Sequence, residues 1–148
     1  MPHRLLIVIA IILQLLVASA VAAGPKVSRG AAPKALNRVV IQINEDDARK
    51  WHAVLANIHN IQAELGAGHV KVAVVVIGPG LGMLMADALT ANGVQDALAA
   101  GAEFVACGNS MKAQKIDRTD LIDGVGVVTA GYVEIMRRQQ QGWSYLRP

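Results

Sequence analysis

Three shortages bound the function of this 148-residue chain before any motif is read. It has one cysteine, Cys107, so it can form neither an internal disulfide framework nor a zinc site of the usual multi-cysteine spacing. Its aromatics number two Trp, two Tyr and one Phe, which leaves little for nucleobases to stack on. It also lacks a marked charge of either sign: 14 Lys and Arg stand against 11 Asp and Glu, net +3, with the signs interspersed. A nucleic-acid partner needs a basic stripe, and none is present, so no nucleic-acid binding is expected.

Metal-ligand patterns are equally scarce. His52 and His59 are seven apart on one predicted helix, hence about two turns or roughly 10 Å from each other, too far for joint ligation. His69 opens a strand with no His, Cys or Asp at ligand spacing. No Ser or Thr sits in a nucleophile elbow, and no Asp or Glu pair is set for acid–base work. Neither a metal nor a cofactor is expected.

What the chain has in quantity is apolar residues, 53% of the total with a mean hydropathy of +0.39. They are unevenly spread: residues 1–23 hold 18 of them, and beyond that point the share falls to about 48%, an ordinary globular value. Met1-Pro-His-Arg4 is a short basic start, Leu5 to Val17 an apolar run, and Ala18-Ser19-Ala20 a small-x-small pattern, together the layout of a secretory signal peptide over 1–23. The competing reading is an uncleaved anchor, because Leu5 to Ala23 is interrupted only by Gln14 and Ser19 and is just long enough to span a bilayer. Cleavage is expected after Ala20 or Ala23. Both readings put the protein outside the cytoplasm, periplasmic or secreted, with membrane contact only if the segment stays as an inner-membrane anchor. Residues 24–37 read as a flexible linker and 38–148 as one α/β domain.

From Arg38 onward, short β-branched runs alternate with helical patterns, the signature of βα units and a parallel sheet. A first strand covers Arg38 to Ile43. Asn44, with Asp47 three residues on, is expected to cap a helix reaching Glu64 or Leu65, whose Trp51, Val54, Leu55, Ile58, Ile61 and Leu65 form one apolar stripe. Val70 to Ile77, almost wholly apolar, is expected as a strand in the middle of the sheet. Gly78-Pro79-Gly80 then turns into a helix over Leu81 to Thr90, broken by Asn92-Gly93, with a second helix from Val94 to Ala100. Glu103 to Cys107 forms the third strand. A short helical piece from Ser110, a helix capped by Asp117 with Asp120, a strand Val125 to Val128, a helix Tyr132 to Gln141 and an edge strand or docking tail over Trp143 to Leu146 complete the domain.

Parallel α/β sheets gather ligands at the carboxyl ends of their strands. That rule selects Asn44, Gly78-Pro79-Gly80, Cys107-Gly108-Asn109 with Ser110, and Thr129-Ala130-Gly131. Cys107 alone among them carries nucleophilic chemistry. A free thiol titrates near about 8.5, and at a helix amino terminus this falls to roughly 3.5–7.5. Gly108 leaves room for a ligand, and the amides that follow it are placed to face the sulfur. The plainer alternative is a small buried hydrophobe ending a strand. Gly78-Pro79-Gly80-Leu81-Gly82 has the look of an anion-binding loop but lacks the Lys-Ser/Thr of a P-loop and the dinucleotide spacing, so a tight turn is the simpler reading. Met83, Leu84, Met85 and Met111 are either core or a subunit contact.

Taken together, the strand running into Asn44-Glu-Asp-Asp47, Gly78-Pro79-Gly80-Leu81, Phe104-Val-Ala-Cys107-Gly-Asn-Ser-Met111, and the ending from Val133-Glu134-Ile135 to Gly142-Trp143 resemble the DsrE/DsrF-like superfamily. The resemblance implies a flavodoxin-like three-layer α/β/α sandwich around a five-stranded, mostly parallel sheet. It also implies a sulfur-relay protein, assembled as a homo-oligomer (trimer or hexamer), in which Cys107 takes sulfane sulfur as a persulfide from a donor and passes it to an acceptor thiol. The alternative is a non-catalytic binding or assembly module with a small-anion or nucleotide pocket at the strand ends.

Overall fold

Strands buried on both faces fix the architecture. The computed structural model describes residues 36–148, and the signal-peptide or anchor reading of 1–23 and most of the linker lie outside them. Five strands, β1 (Asn37–Ile43), β2 (Val70–Val76), β3 (Glu103–Cys107), β4 (Gly126–Val128) and β5 (Ser144–Leu146), pair in the order β4-β3-β2-β1-β5. Every pairing is parallel, as in Val40 opposite Ala73 and Val75 opposite Val105. β2 lies in the middle of the sheet, as its unbroken apolar run requires, and Ser144–Leu146 is an edge strand. The chain is an α/β protein with a flavodoxin-like arrangement of sheet and helices.

Alternate residues point to opposite faces. Val39, Ile41 and Ile43 of β1, Val72, Val74 and Val76 of β2, and Phe104 and Ala106 of β3 face a thick layer. That layer consists of α1 (Ala48–Leu65), α2 (Ala91–Ala99), α3 (Gly108–Gln114) and the 3₁₀ segment Gly78–Leu84. Val40, Val75, Val105 and Cys107 face the other side, where α4 (Gly131–Gln140) contributes Ile135 to a smaller cluster. Each fully buried Val or Ile contributes about 1.5–3 kcal/mol, so the thick face carries most of the stabilisation.

Local structure departs from the sequence reading at four places, each with a physical cause. Asp47, not Asn44, caps α1: its carboxylate accepts from the Arg49 and Lys50 amides, while Asn44 only ends β1. The segment Leu81 to Thr90 is not an α-helix. Gly82 lies so close to Trp51 that a Cβ would stand 2.9 Å from the indole, and Met85 instead bridges Leu121, with Ala86 donating to the Asp120 carbonyl and Ile122 to that of Leu84. Asn92-Gly93 lies inside α2 rather than breaking a helix, because Gly93 is where that helix presses on Leu55 of α1. The Asp117–Asp120 capping box does form, but only the 3₁₀ turn Arg118–Asp120 follows, since Leu121 is drawn into the Met85 bridge. Met83, Leu84 and Met111 are buried in the thick-face cluster, and Met85 packs partly buried against it, so these four residues belong to the core.

Candidate functional site

A crevice forms in an open parallel sheet where neighbouring strands send their following helices to opposite faces. β3 and β4 are such neighbours: β3 leads into α3, whose Met111 packs in the thick-face cluster, while β4 leads into α4, whose Ile135 packs in the thin-face cluster. Cys107 ends β3 at this point. Its side chain is 4% exposed and belongs to the thin-face cluster.

A neutral backbone donor lies on the sulfur. The Gly131 amide at the start of α4 donates to Cys107 Sγ at 3.3 Å. Asn109 and Ser110 follow Cys107 in the first turn of α3. Burial alone pushes the Cys107 thiol up, but the Ser110 hydroxyl and the amides of Gly131, Ser110 and Asn109 together outweigh it and hold the thiol below its ordinary value. The thiolate is thereby favoured more than in an ordinary cysteine.

The close approach to Gly131 explains its lack of a side chain. A Cβ there would lie 2.7 Å from Ile77 Cγ1 and 3.2 Å from Cys107 Cβ. Gly108 is similarly confined, with the Val128 carbonyl 3.1 Å from where its Cβ would be, and the Asn109 amide donates to the Thr129 carbonyl at 3.0 Å. β3, α3 and the β4–α4 loop are thus locked around the sulfur. On the β2 side, the Gly78 amide donates to Ser110 Oγ at 2.9 Å and the Gly78 carbonyl accepts from Gln114 Nε2 at 2.8 Å.

Of the residues selected from sequence, the structure brings together Cys107, Gly108, Asn109, Ser110, Gly78 and the Thr129-Ala130-Gly131 loop. Asn44 and Gly80 stand apart from them. Gly80 packs on the Asn44 backbone, with 3.1 Å between its Cβ position and Asn44 Cα, at the end of β1. β1 is two strands from β3, about 10 Å away across the sheet. Asn44 Oδ1 is buried there without a hydrogen-bond partner. Pro79 is exposed at the start of the 3₁₀ segment.

Gln114 and Ile77 were not selected from the sequence. An exposed glutamine on a short helix carries no signal of its own, although its four-residue spacing from Ser110 places both on one helix face. A cleft of about 270 Å3, lined by Val128, Thr129, Ala130, Val133, Glu134 and Arg137, opens along the β4–α4 junction. His52, His59 and His69 are exposed, and among the described residues no group of three or more His, Cys, Asp or Glu is placed to hold a metal.

Comparison with known proteins agrees with this architecture. The DsrE/DsrF-like family matches residues 37–148. The structure of MTH1491, a protein of unknown function from Methanobacterium thermoautotrophicum, is similar with a TM-score of 0.73 and 37% identity, covering 76% of this chain and 99% of that one. BT1422, a conserved protein of unknown function from Bacteroides thetaiotaomicron, shares the fold with a TM-score of 0.64 at 13% identity, over 79% of this chain and 99% of its own. Among curated proteins, none matches.

Proposed function

The chain belongs to the DsrE/DsrF-like family, and from that premise we propose that it is a sulfur carrier whose Cys107 holds sulfane sulfur as a persulfide. The family suggests a sulfur-relay type of protein. The observation that carries the reading to this residue is the Gly131 amide donating to the sulfur of the single cysteine, at the crevice between β3 and β4.

In the loading step the Cys107 thiolate attacks the outer sulfur of thiosulfate, a persulfide or a polysulfide. With thiosulfate, the new bond is Sγ–S, the S–SO₃ bond breaks, and its electron pair leaves with sulfite; thiolate and dianion become a persulfide anion and sulfite dianion. The amides and hydroxyl that favour the thiolate lie next to the same anion after loading. In the unloading step an acceptor thiolate attacks the outer sulfur and Cys107 departs as thiolate, a leaving group made better by its lowered pKa. With no second cysteine, the chain cannot resolve the persulfide internally to a disulfide. Thr129 and Arg137 in the neighbouring cleft suit an anionic donor.

Two features extend the reading. The signal-like pattern of residues 1–23 supports a carrier that works outside the cytoplasm, periplasmic or secreted. Exposed Tyr132, Val133 and Met136 on α4 support assembly as a homo-oligomer, since contiguous apolar surface is commonly an interaction site.

Sulfite release on mixing the purified protein with thiosulfate tests the carrier. Stoichiometric sulfite from the wild type and none from Cys107→Ser is expected; equal release by both proteins, or no uptake from thiosulfate, persulfide and polysulfide alike, overturns it. The burial of Cys107 favours a second reading, a binding or assembly module in which the thiol is structural. Under that reading, native Cys107 reacts with thiol reagents only as fast as the protein unfolds.

A further inference from the structure

One arginine differs from the others in having no partner. Among the described residues, Arg49, Arg138 and Arg147 pair with carboxylates, and Arg38 and Arg118 donate to the Gln141 and Val125 carbonyls. Arg137 makes neither an ion pair nor a side-chain hydrogen bond there. All 11 Asp and Glu lie between Glu45 and Glu134, within the described residues, so no acidic side chain elsewhere in the chain can neutralise it.

A solvated arginine near a helix end needs no ligand, but Arg137 lines the cleft of about 270 Å3 at the β4–α4 junction. One wall is the face of α4 that carries Val133, Glu134 and Arg137, and the other is Val128-Thr129-Ala130. Glu134 is the one acid in the lining, and Arg138 holds its carboxylate at 2.7 Å. The second carboxylate on Arg138 belongs to Glu103, which begins β3 while Cys107 ends it, so that charge lies at the far end of the strand. The cleft also starts beside the sulfur. Val128 is the pairing partner of Cys107 on the neighbouring strand, about 5 Å away, and Ala130 precedes Gly131, whose amide donates to Sγ. From Ala130 to Arg137 is about 10 Å along α4, a span that the arginine side chain shortens.

Building on the sulfur-carrier reading, we propose that this cleft is the donor subsite and that Arg137 is its specificity-determining residue, selecting donors that carry an oxyanion group beside the sulfane sulfur. A guanidinium offers a planar fork to two oxygens of a sulfonate or a carboxylate, and polysulfide has no oxygen to place in it. The same charge offsets the repulsion between the Cys107 thiolate and an incoming anion. The exposed Thr129 hydroxyl supplies a further donor on the opposite wall. Thiosulfate and an organic persulfide bearing a carboxylate share this chemistry. With thiosulfate, the oxygens held by Arg137 leave in the sulfite, so the subsite empties as the persulfide forms.

Binding is separable from sulfur transfer in the Cys107→Ser protein. Calorimetric titration of that protein with thiosulfate and, separately, with N-acetylcysteine as the carboxylate-bearing probe is expected to show saturable binding of at least one. Adding Arg137→Gln should weaken that binding at least about tenfold, the loss of a charge-assisted contact. Thr129→Val should weaken it by less. Which probe binds tells an inorganic from an organic donor. In protein that retains Cys107, Arg137→Gln should raise the thiosulfate concentration for half-maximal sulfite release by a similar factor. Binding of neither probe, or equal binding with and without Arg137, overturns the subsite, and an unmoved Thr129→Val removes the hydroxyl from it. The two proposals fail separately: anion binding that depends on Arg137, with no loading from any donor, keeps the cleft and removes the sulfur carrier, whereas sulfite release with the same thiosulfate dependence in Arg137→Gln does the reverse.

Discussion

The two faces of the sheet differ in what their burial accomplishes. On the thick face, α1, α2, α3 and the Gly78–Leu84 segment cover three strands with a continuous apolar cluster in which Ile43, Val74, Val76, Leu81, Met83, Leu84 and Val94 have no exposed surface. On the thin face, α4 is the one helix among the described residues over Val40, Val75, Ile77, Val105 and Cys107, with Trp143 packing beside it. Part of its outer surface, Tyr132, Val133 and Met136, is exposed. A helix with so little packing is held by polar fasteners as well. Arg138 pairs with Glu134 and Glu103 and lies over the Trp143 ring at 4.5 Å, and on the same face Tyr145 of β5 donates to the buried Gln42 of β1 at 2.7 Å. Stability is thus concentrated on one side of the sheet and Cys107 on the other. A change of the thin face can alter chemistry at modest cost to the fold, and a change of the thick face cannot.

The largest expected effect is therefore on the thick face. Phe104→Ala removes a side chain that is 1% exposed and is expected to cost about 3–5 kcal/mol, read by denaturant unfolding. Val105→Ala, the next residue on the opposite face, is expected to cost less, within roughly 0.5–3 kcal/mol. If the two losses prove equal, the division between the faces does not hold.

Gly131→Ala comes next. Its methyl must displace Ile77 and press on Cys107, an overpacking expected to cost about 1–3 kcal/mol. Unlike Phe104→Ala, it should also move the Gly131 amide from the sulfur and slow alkylation of Cys107 at neutral pH. Retained thiol reactivity in a folded Gly131→Ala protein would mean that this amide contributes little. Arg138→Gln, which loosens α4 from Glu103, Glu134 and Trp143, should lower stability by about 1 kcal/mol, because Glu103 is half exposed and the pair is partly screened.

The smallest effect is a pH dependence. Because the Cys107 thiol is held below its unfolded value, both states are protonated at low pH and the group contributes nothing. As pH rises through the folded value the native state loses its proton while the unfolded chain keeps its own, so stability rises relative to Cys107→Ser, and the gain is complete above the unfolded value. Denaturation midpoints of the two proteins across the neutral to alkaline range should diverge in that direction; convergence with rising pH would reverse the sign of the shift.

How legible all this was in the sequence follows from what each pattern depends on. β2 could be placed mid-sheet because a strand covered on both faces must be apolar at every position, and Val70–Val76 nearly is. Glu103–Cys107 was readable for the same reason, and with it the position of Cys107 at a strand end. The 3₁₀ segment Gly78–Leu84 was not, since Leu81, Met83 and Leu84 satisfy a helical pattern equally well and only the approach of Trp51 to Gly82 and the Met85–Leu121 bridge decide against it. Asn44 was misjudged as a cap because it and Asp47 are both good caps, and the Trp51 Nε1 bond to the Glu45 carbonyl is among the long-range choices that delay the helix. Within the site, the Ser110 and Gly131 contacts join residues 24 to 32 positions apart from their partners, beyond any local signal, and Gln114 became visible only through its bond to Gly78.

The claim that ties the thin face to function is that Cys107 both takes and gives up a sulfur atom. Intact mass of the protein, measured after exposure to polysulfide and again after adding an excess of a small acceptor thiol, follows both events in one sample. The wild type should gain the mass of one sulfur atom and then return to its starting mass, with Cys107→Ser unchanged throughout. A gain that also occurs in Cys107→Ser, or a folded wild type that gains nothing, would contradict it.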